Sequence, residues 1–343
     1  MYPGRPVPAD PSKFSVYERL RYWLHNCIHN HNHKEIQERA LPSRILDVKR
    51  GSIGEDQIKV VDNLETKITY VALSHCWGSS QHLTATRDTL ESLKLGISIL
   101  SLPKTFQDAI TVTRKLGFRY LWIDSLCILQ DDAEDWEIEG SKMASIYEKA
   151  IVTIAADRAK DDTEGFLSLR PERPYIEIAE KAHENVRTIH VFPIALKDEF
   201  HDGFDVDMDE EPLSQRAWAL QERLLSLRMF HFGQTQVAYE CRSHIFTEDG
   251  YNHPVPLDYL GQDSREKLPD FDQAVYRVEK RWRDIIEWYT KRALSHPSDK
   301  LPALAGLARK FDRDSIHHRE ERPEYLAGLW RSNLLEGLCW FSK

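Results

Sequence analysis

Apolar positions along this chain alternate between short strand-like runs and helical stripes. Ser15–His31 sets Leu20, Trp23, Leu24 and Ile28 at helical spacing. Ile58–Val61 and Ile68–Leu73 are β-branched, apolar runs divided by the turn pair Asp62-Asn63. Ser74-His75-Cys76-Trp77-Gly78 ends the second run. After Leu102-Pro103, the residues Phe106, Ala109, Ile110, Thr113 and Leu116 recur as on a helix, and Gly117 stands where a C-terminal glycine belongs. A strand, Tyr120–Ile123, follows and ends at Asp124. From about Glu134, the positions Trp136, Gly140, Met143, Tyr147 and Ala150 predict one buried helical stripe. Ile151–Ala156 is then a continuous apolar run, the pattern of a strand covered on both faces.

Strand, helix, strand, helix, strand in that order predicts an α/β fold: a mainly parallel sheet with crossover helices. Asp157–Glu211 reads as irregular, with Gly165-Phe166-Leu167 and a solvated acidic loop, Asp202–Glu211, inside it. Pro212–Leu225 reads as helical, and Met229–Phe232 and Gln236–Cys241 as short strands. From about Phe271 the chain is predicted mostly helical, through Trp282, Ile285, Ile286 and Tyr289, then Leu301–Phe311 and Tyr325–Trp330. The expected organisation is a Pro-rich and helical N-terminal region (1–57), an α/β core (58–241) and a mostly helical C-terminal region (242–343).

Composition narrows the function. The 343 residues carry 46 basic and 55 acidic side chains and no Lys/Arg-rich run, which argues against a nucleic-acid partner. No apolar stretch approaches the ~20 residues of a membrane helix, so no membrane partner is expected. Four prolines in Met1–Lys13 leave no apolar core for a secretory signal. Five scattered cysteines read as reduced thiols in a cytoplasmic protein. His25, Cys27, His29, His31 and His33 are the densest group of metal-ligating types. They lack a second ligand pair at a zinc spacing, so they read as a solvated helix end and no metal is expected. Neither a phosphate-cradling loop nor a dinucleotide fingerprint is present.

Three blocks carry a resemblance. Tyr70-Val-Ala-Leu-Ser-His-Cys-Trp-Gly78 is the first. Leu102-Pro-Lys-Thr-Phe-Gln-Asp-Ala109 with Tyr120-Leu-Trp-Ile-Asp-Ser-Leu-Cys-Ile-Leu-Gln130 is the second, and Arg216-Ala-Trp-Ala-Leu-Gln-Glu-Arg-Leu-Leu225 the third. In order and spacing they resemble the heterokaryon-incompatibility (HET) domains of fungal non-self recognition and programmed cell death. The resemblance implies a distant likeness to TIR domains of innate immunity, hence a TIR-like, flavodoxin-like sheet flanked by helices. It further implies self-association for activity, with other incompatibility or NLR-type proteins as candidate partners.

TIR enzymes cleave the nicotinamide–ribose bond of NAD⁺ with one glutamate in a Trp-x-x-x-Glu helix. Trp218 and Glu222 have that spacing, and positions four apart share a helix face. The resemblance therefore implies Glu222 as the catalytic residue, NAD⁺ as substrate and no cofactor. One carboxylate suffices, because nicotinamide leaves as a neutral molecule and only the oxocarbenium-like transition state needs support. Ser74, Trp77, Gly78 and Asp124 follow strands, where parallel sheets bind ligands, and are the substrate-binding candidates along with Trp218 and Arg216, the latter for a pyrophosphate.

Plainer roles stand beside these. Glu222 could pair with Arg216, Arg223 or Arg228; Asp124 could brace its own loop; Trp77 and Trp122 could be core; Ser74 could be a turn residue. His75-Cys76 and Cys127 invite a cysteine-nucleophile reading that ranks below the glutamate. The competing function is a scaffold that signals through HET–HET contacts without chemistry.

Overall fold

The computed structural model describes residues 4–31, 33, 41–49, 56–62, 68–78, 83–172, 175–182, 185–191, 210–254, 271–315, 324–331 and 334–339. Asn63 of the expected turn and residues 202–209 of the acidic loop lie outside them. The chain forms two compact units, Met1–Leu213 with Ser226–Pro256, and Ser214–Leu225 with Leu257–Lys343.

The first unit begins with α1 (Phe14–Asn30), β1 (Arg44–Asp47), β2 (Gln57–Asp62), β3 (Tyr70–Ser74), α2 (Leu90–Leu95) and β4 (Ile97–Ser98). It continues through α3 (Lys104–Leu116), β5 (Tyr120–Trp122), α4 (Asp124–Cys127), α5 (Ala133–Lys149), β6 (Val152–Ala155), β7 (Ile176–Ala182) and β8 (Asn185–Val191). β9 (Arg228–Phe232), β10 (Val237–Cys241), β11 (His244–Thr247) and β12 (Asn252–Pro254) complete it. Among the described residues one ten-stranded sheet runs β12-β11-β10-β9-β6-β3-β5-β1-β2-β4.

Its centre is parallel: β3 lies between β5 and β6, and β6 pairs with β9. Numbered along the chain, these four strands stand in the order 2-1-3-4, the start of a flavodoxin-like sheet. The expected α/β fold is therefore present. The flanks are antiparallel, through β1, β2 and β4 on one side and β10, β11 and β12 on the other. β3 and β6 are buried at every position, as strands covered on both faces must be. Helix α3 begins directly after Pro103 and stops at Gly117, whose N–H returns to the Thr113 and Arg114 carbonyls. Helix α5 begins at Asp132, whose carboxylate accepts the Glu134 and Asp135 backbone N–H groups.

Several expectations are corrected. Ile28 is 42% exposed, and α1 instead buries Val16, Tyr17, Leu20, Trp23, Leu24 and Cys27. On α5, Trp136 faces out at 40% exposure, whereas Glu139 is fully buried with Met143, Ile146 and Tyr147. A carboxylate can occupy that place because its partners come with it. Glu139 Oε1 accepts from Ser43 Oγ at 2.6 Å and Lys142 Nζ at 2.7 Å, and Oε2 accepts from Ser43 N at 3.2 Å. The segment expected to be irregular contains the β7–β8 hairpin, whose residues pair in register from Ile176↔Val191 to Ala182↔Asn185.

The second unit holds α6 (Ala217–Leu225), α7 (Phe271–Thr290), α8 (Pro302–Ser315), β13 (Tyr325–Leu326), β14 (Leu329–Trp330) and α9 (Leu334–Gly337). Its core sets the Trp282 ring 5.1 Å from Phe311 and 5.5 Å from Trp330. Tyr325–Trp330 is not the expected helix. It turns back as a hairpin through Ala327 and Gly328, both with positive φ, the geometry of a tight two-residue loop. The helix expected over Pro212–Leu225 is also interrupted. A 3-10 turn at Pro212–Gln215 gives way at Arg216, whose backbone bridges to Ala293, before α6 starts.

The Glu139 arrangement has a measurable consequence. Glu139→Ala strips the acceptor from Ser43 and Lys142 and leaves a cavity in α5, and is expected to cost about 2–3 kcal/mol. A urea-denaturation midpoint unchanged from the parent would refute that role.

Candidate functional site

The first two blocks meet where β3 and β6 end. In a 2-1-3-4 sheet this is the point where strand order reverses, the place beyond the carboxyl ends of the strands where parallel α/β sheets bind ligands. Ser74 is the last residue of β3, and its carbonyl accepts from Ala156 N at 3.0 Å, tying the two strand ends together. Gly78 sits at φ +77, and a Cβ on it would fall 2.3 Å from the Cβ of Asp161. Only glycine lets the loop after β3 pass this close to the segment after β6.

Asp124, at the end of β5, spans the same place. Its Oδ2 accepts the Trp77 indole N–H at 2.9 Å, and its Oδ1 accepts from Ser125 N at 2.8 Å. His75 Nδ1 lies 3.8 Å from Oδ1, and the His75 ring meets Phe106 edge-on at 5.1 Å. The structure thus places Ser74, Trp77 and Gly78 on the segment that ends β3 and joins Trp77 to Asp124. Trp77 is half-buried and Gly78 exposed, so this edge faces outward. Trp122 is fully buried against Tyr147 and belongs to the core. Cys76 is buried as well. Burial pushes the Cys127 thiol up to about 12, which removes it as a nucleophile at neutral pH.

The second block also clamps the Gly165-Phe-Leu motif. Asp108 Oδ2 accepts from Phe166 N at 2.8 Å and Leu167 N at 3.0 Å, while Lys104 pairs with Oδ1. Thr105 Oγ1 accepts from Gly165 N at 3.2 Å, and Thr105 N donates to Asp162 O at 2.8 Å. The first turn of α3 therefore fixes the course of the chain from Asp161 to Leu167.

His231, the penultimate residue of β9, belongs to none of the three blocks. It is buried between two carboxylates, with Nδ1 2.8 Å from Asp157 Oδ2 and Nε2 2.8 Å from Glu240 Oε2. A histidine inside the apolar run Met229–Phe232 was the visible signal; its partners, on β6's exit and on β10, were not. Burial alone would push this imidazole down, but Asp157 and Glu240 outweigh it and hold it above its ordinary value.

Arg216, Trp218 and Glu222 fold with the second unit. Trp218 and Glu222 lie one turn apart on α6. The half-buried Trp218 donates its indole N–H to Asp299 Oδ2 at 3.1 Å. Gln221 Oε1 accepts from Gly306 N at 3.0 Å, seating α6 on α8. Glu222 is 2% exposed, and Arg216 is half-buried beside the bridge to Ala293.

Residues 70–222 match the family model described as Heterokaryon incompatibility protein (HET). These residues are a HET domain. The match starts at the first residue of β3 and closes on Glu222, so it takes in the first two blocks and the third as far as Glu222. A HET domain implies a role in fungal heterokaryon incompatibility. No curated protein and no solved structure matches the chain. Among the described residues, no helix is long and apolar enough to cross a membrane.

Two measurements check the framework of the HET domain. Gly78→Ala adds left-handed backbone strain and a collision with Asp161, and is expected to cost at least about 1–3 kcal/mol, read from the thermal midpoint. His231 binds its proton more tightly folded than unfolded. Its contribution to stability is complete below about pH 6.5 and is lost as pH rises through the higher folded value. Denaturation midpoints of the parent should therefore fall across this window relative to His231→Gln; parallel pH profiles would contradict the assignment.

Proposed function

We propose that the chain is an effector of fungal non-self recognition and cell death, and that its HET domain cleaves NAD⁺ with Glu222 as the catalytic carboxylate. The observation that carries this reading is a buried glutamate one helical turn from a tryptophan on α6. That spacing resembles the single-glutamate helix of TIR enzymes. Burial matters because a carboxylate shielded from water acts more strongly on a nearby developing cation.

In the reaction, the bond between ribose C1′ and the nicotinamide nitrogen breaks, and its electron pair leaves with neutral nicotinamide. Water adds at C1′ and releases one proton, giving ADP-ribose. Glu222 stabilises the cationic sugar while C1′ has neither ligand fully bonded. Arg216 offers a two-pronged donor for the pyrophosphate. Self-association in the cytoplasm, with other incompatibility proteins as partners, completes the proposal.

A second reading, signalling through HET–HET contacts without chemistry, is favoured by one observation. Asp124 uses both carboxylate oxygens to brace Trp77 and Ser125, a structural use of a block residue.

The test is nicotinamide release from NAD⁺ by the purified chain at high protein concentration, beside Glu222→Gln. The proposal expects release by the parent and a loss of at least about 100-fold in the variant, the scale of removing one key electrostatic group. Equal turnover by the folded variant removes Glu222 from the mechanism. No release by self-associated parent protein favours the scaffold reading.

A further inference from the structure

The residues set aside as a solvated helix end divide into two groups in the structure. His25 and His29 are exposed on α1 and stack on each other at 3.9 Å. Cys27, on the opposite face, is buried, and His31 and His33 turn inward after the helix ends at Asn30. They meet Cys241, the last residue of β10. The four ligand atoms, two sulfurs and two ring nitrogens, all lie within 4.8 Å of one another. His31 Nδ1 is 3.3 Å from Cys241 Sγ, and His33 Nε2 is 3.2 Å from Cys27 Sγ.

We propose that Cys27, His31, His33 and Cys241 form a structural Zn²⁺ site. Zinc bound at ~2.3 Å to sulfur and ~2.0–2.1 Å to nitrogen holds its four ligands at corners ~3.3–3.8 Å apart, and the two nitrogen–sulfur pairs already stand at 3.3 and 3.2 Å. Two soft thiolates and two imidazoles select zinc over the oxygen-preferring magnesium, calcium and manganese. Four protein ligands fill a tetrahedron and leave no place for a substrate, so the site is structural rather than catalytic. Binding displaces one proton from each thiol, and the two thiolates balance the charge of the ion.

The surroundings suit such a site. Arg228 Nε donates to Cys27 Sγ at 3.3 Å, the kind of outer hydrogen bond that orients a ligating sulfur. His31 stacks on His244 at 4.6 Å and faces Phe246 at 6.3 Å, and Trp23 stacks on Phe246 and Tyr239, so aromatic rings flank the cluster. His31 and Cys241 are 210 residues apart in sequence, so the ion would fasten α1 to the antiparallel flank of the sheet. All four residues lie outside the 70–222 span of the HET match, so the site is separate from the three blocks.

The full chain, purified under reducing conditions without chelator, is expected to carry about one zinc per molecule by elemental mass spectrometry. Cys241→Ser and His33→Ala should each lose it, while the His25→Ala/His29→Ala double variant keeps it. Because ligand variants can misfold, the parent is also stripped with chelator and refilled with Co²⁺. The proposal expects the thiolate charge-transfer band and intense visible absorption of tetrahedral cobalt, and a thermal midpoint that falls on stripping and recovers with zinc but not magnesium. A metal-free parent whose midpoint ignores added zinc overturns the site. So does a Cys27–Cys241 disulfide in the non-reduced peptide map, or full zinc content in both ligand variants.

Discussion

The backbone of β3 is the constraint on which the first unit depends. Every residue of β3 is buried, so its N–H and C=O groups must be paired by other strands. Its partners are parallel, and a parallel partner cannot be reached by a tight turn. The chain therefore has to leave β3, cross the sheet with α3, return as β5, cross again with α5 and return as β6. Side-chain hydroxyls tie β3 to the covering helix α5 from both sides: Tyr147 donates to the Leu73 carbonyl at 3.1 Å, and Tyr70 to the Ile146 carbonyl at 2.7 Å. With β3 placed between β5 and β6, the segment after it is brought to the strand-order reversal.

The polar residues of the HET blocks serve that frame first. Asp124 holds Trp77, Asp108 holds the backbone of Phe166 and Leu167, and Thr105 holds Gly165. Each joins segments that are distant in sequence, and each is a side chain whose loss would leave backbone or indole donors without acceptors in a region of low water access. This explains why blocks that read as chemistry contain so many structural contacts. It also separates them from the third block, whose Trp218 and Gln221 make the corresponding contacts to Asp299 and Gly306 within the helical unit.

Local pattern made much of this legible. The apolar runs at Ile68–Leu73 and Ile151–Ala156 are the two central strands, and the helical stripe after Pro103 ends at Gly117 as read. Where the reading failed, a partner outside the local window had changed the balance. Glu139 faces the core of α5 because Ser43 and Lys142 satisfy its carboxylate, so Trp136 turns to solvent. Tyr325–Trp330 has helical composition, but the left-handed pair Ala327-Gly328 folds it into a hairpin that delivers Trp330 to Trp282.

By itself, then, the sequence determined the class of fold, the three blocks and the spacing of Trp218 and Glu222, because periodicity and capping act over one or two turns of chain. Tertiary structure alone decided which polar residues meet. The pairing of His231 with Asp157, the Asp108 clamp and the convergence of Cys27, His31 and His33 on Cys241 join positions tens to hundreds of residues apart. Such pairings arise when strands find their order in the sheet, and no local spacing encodes them.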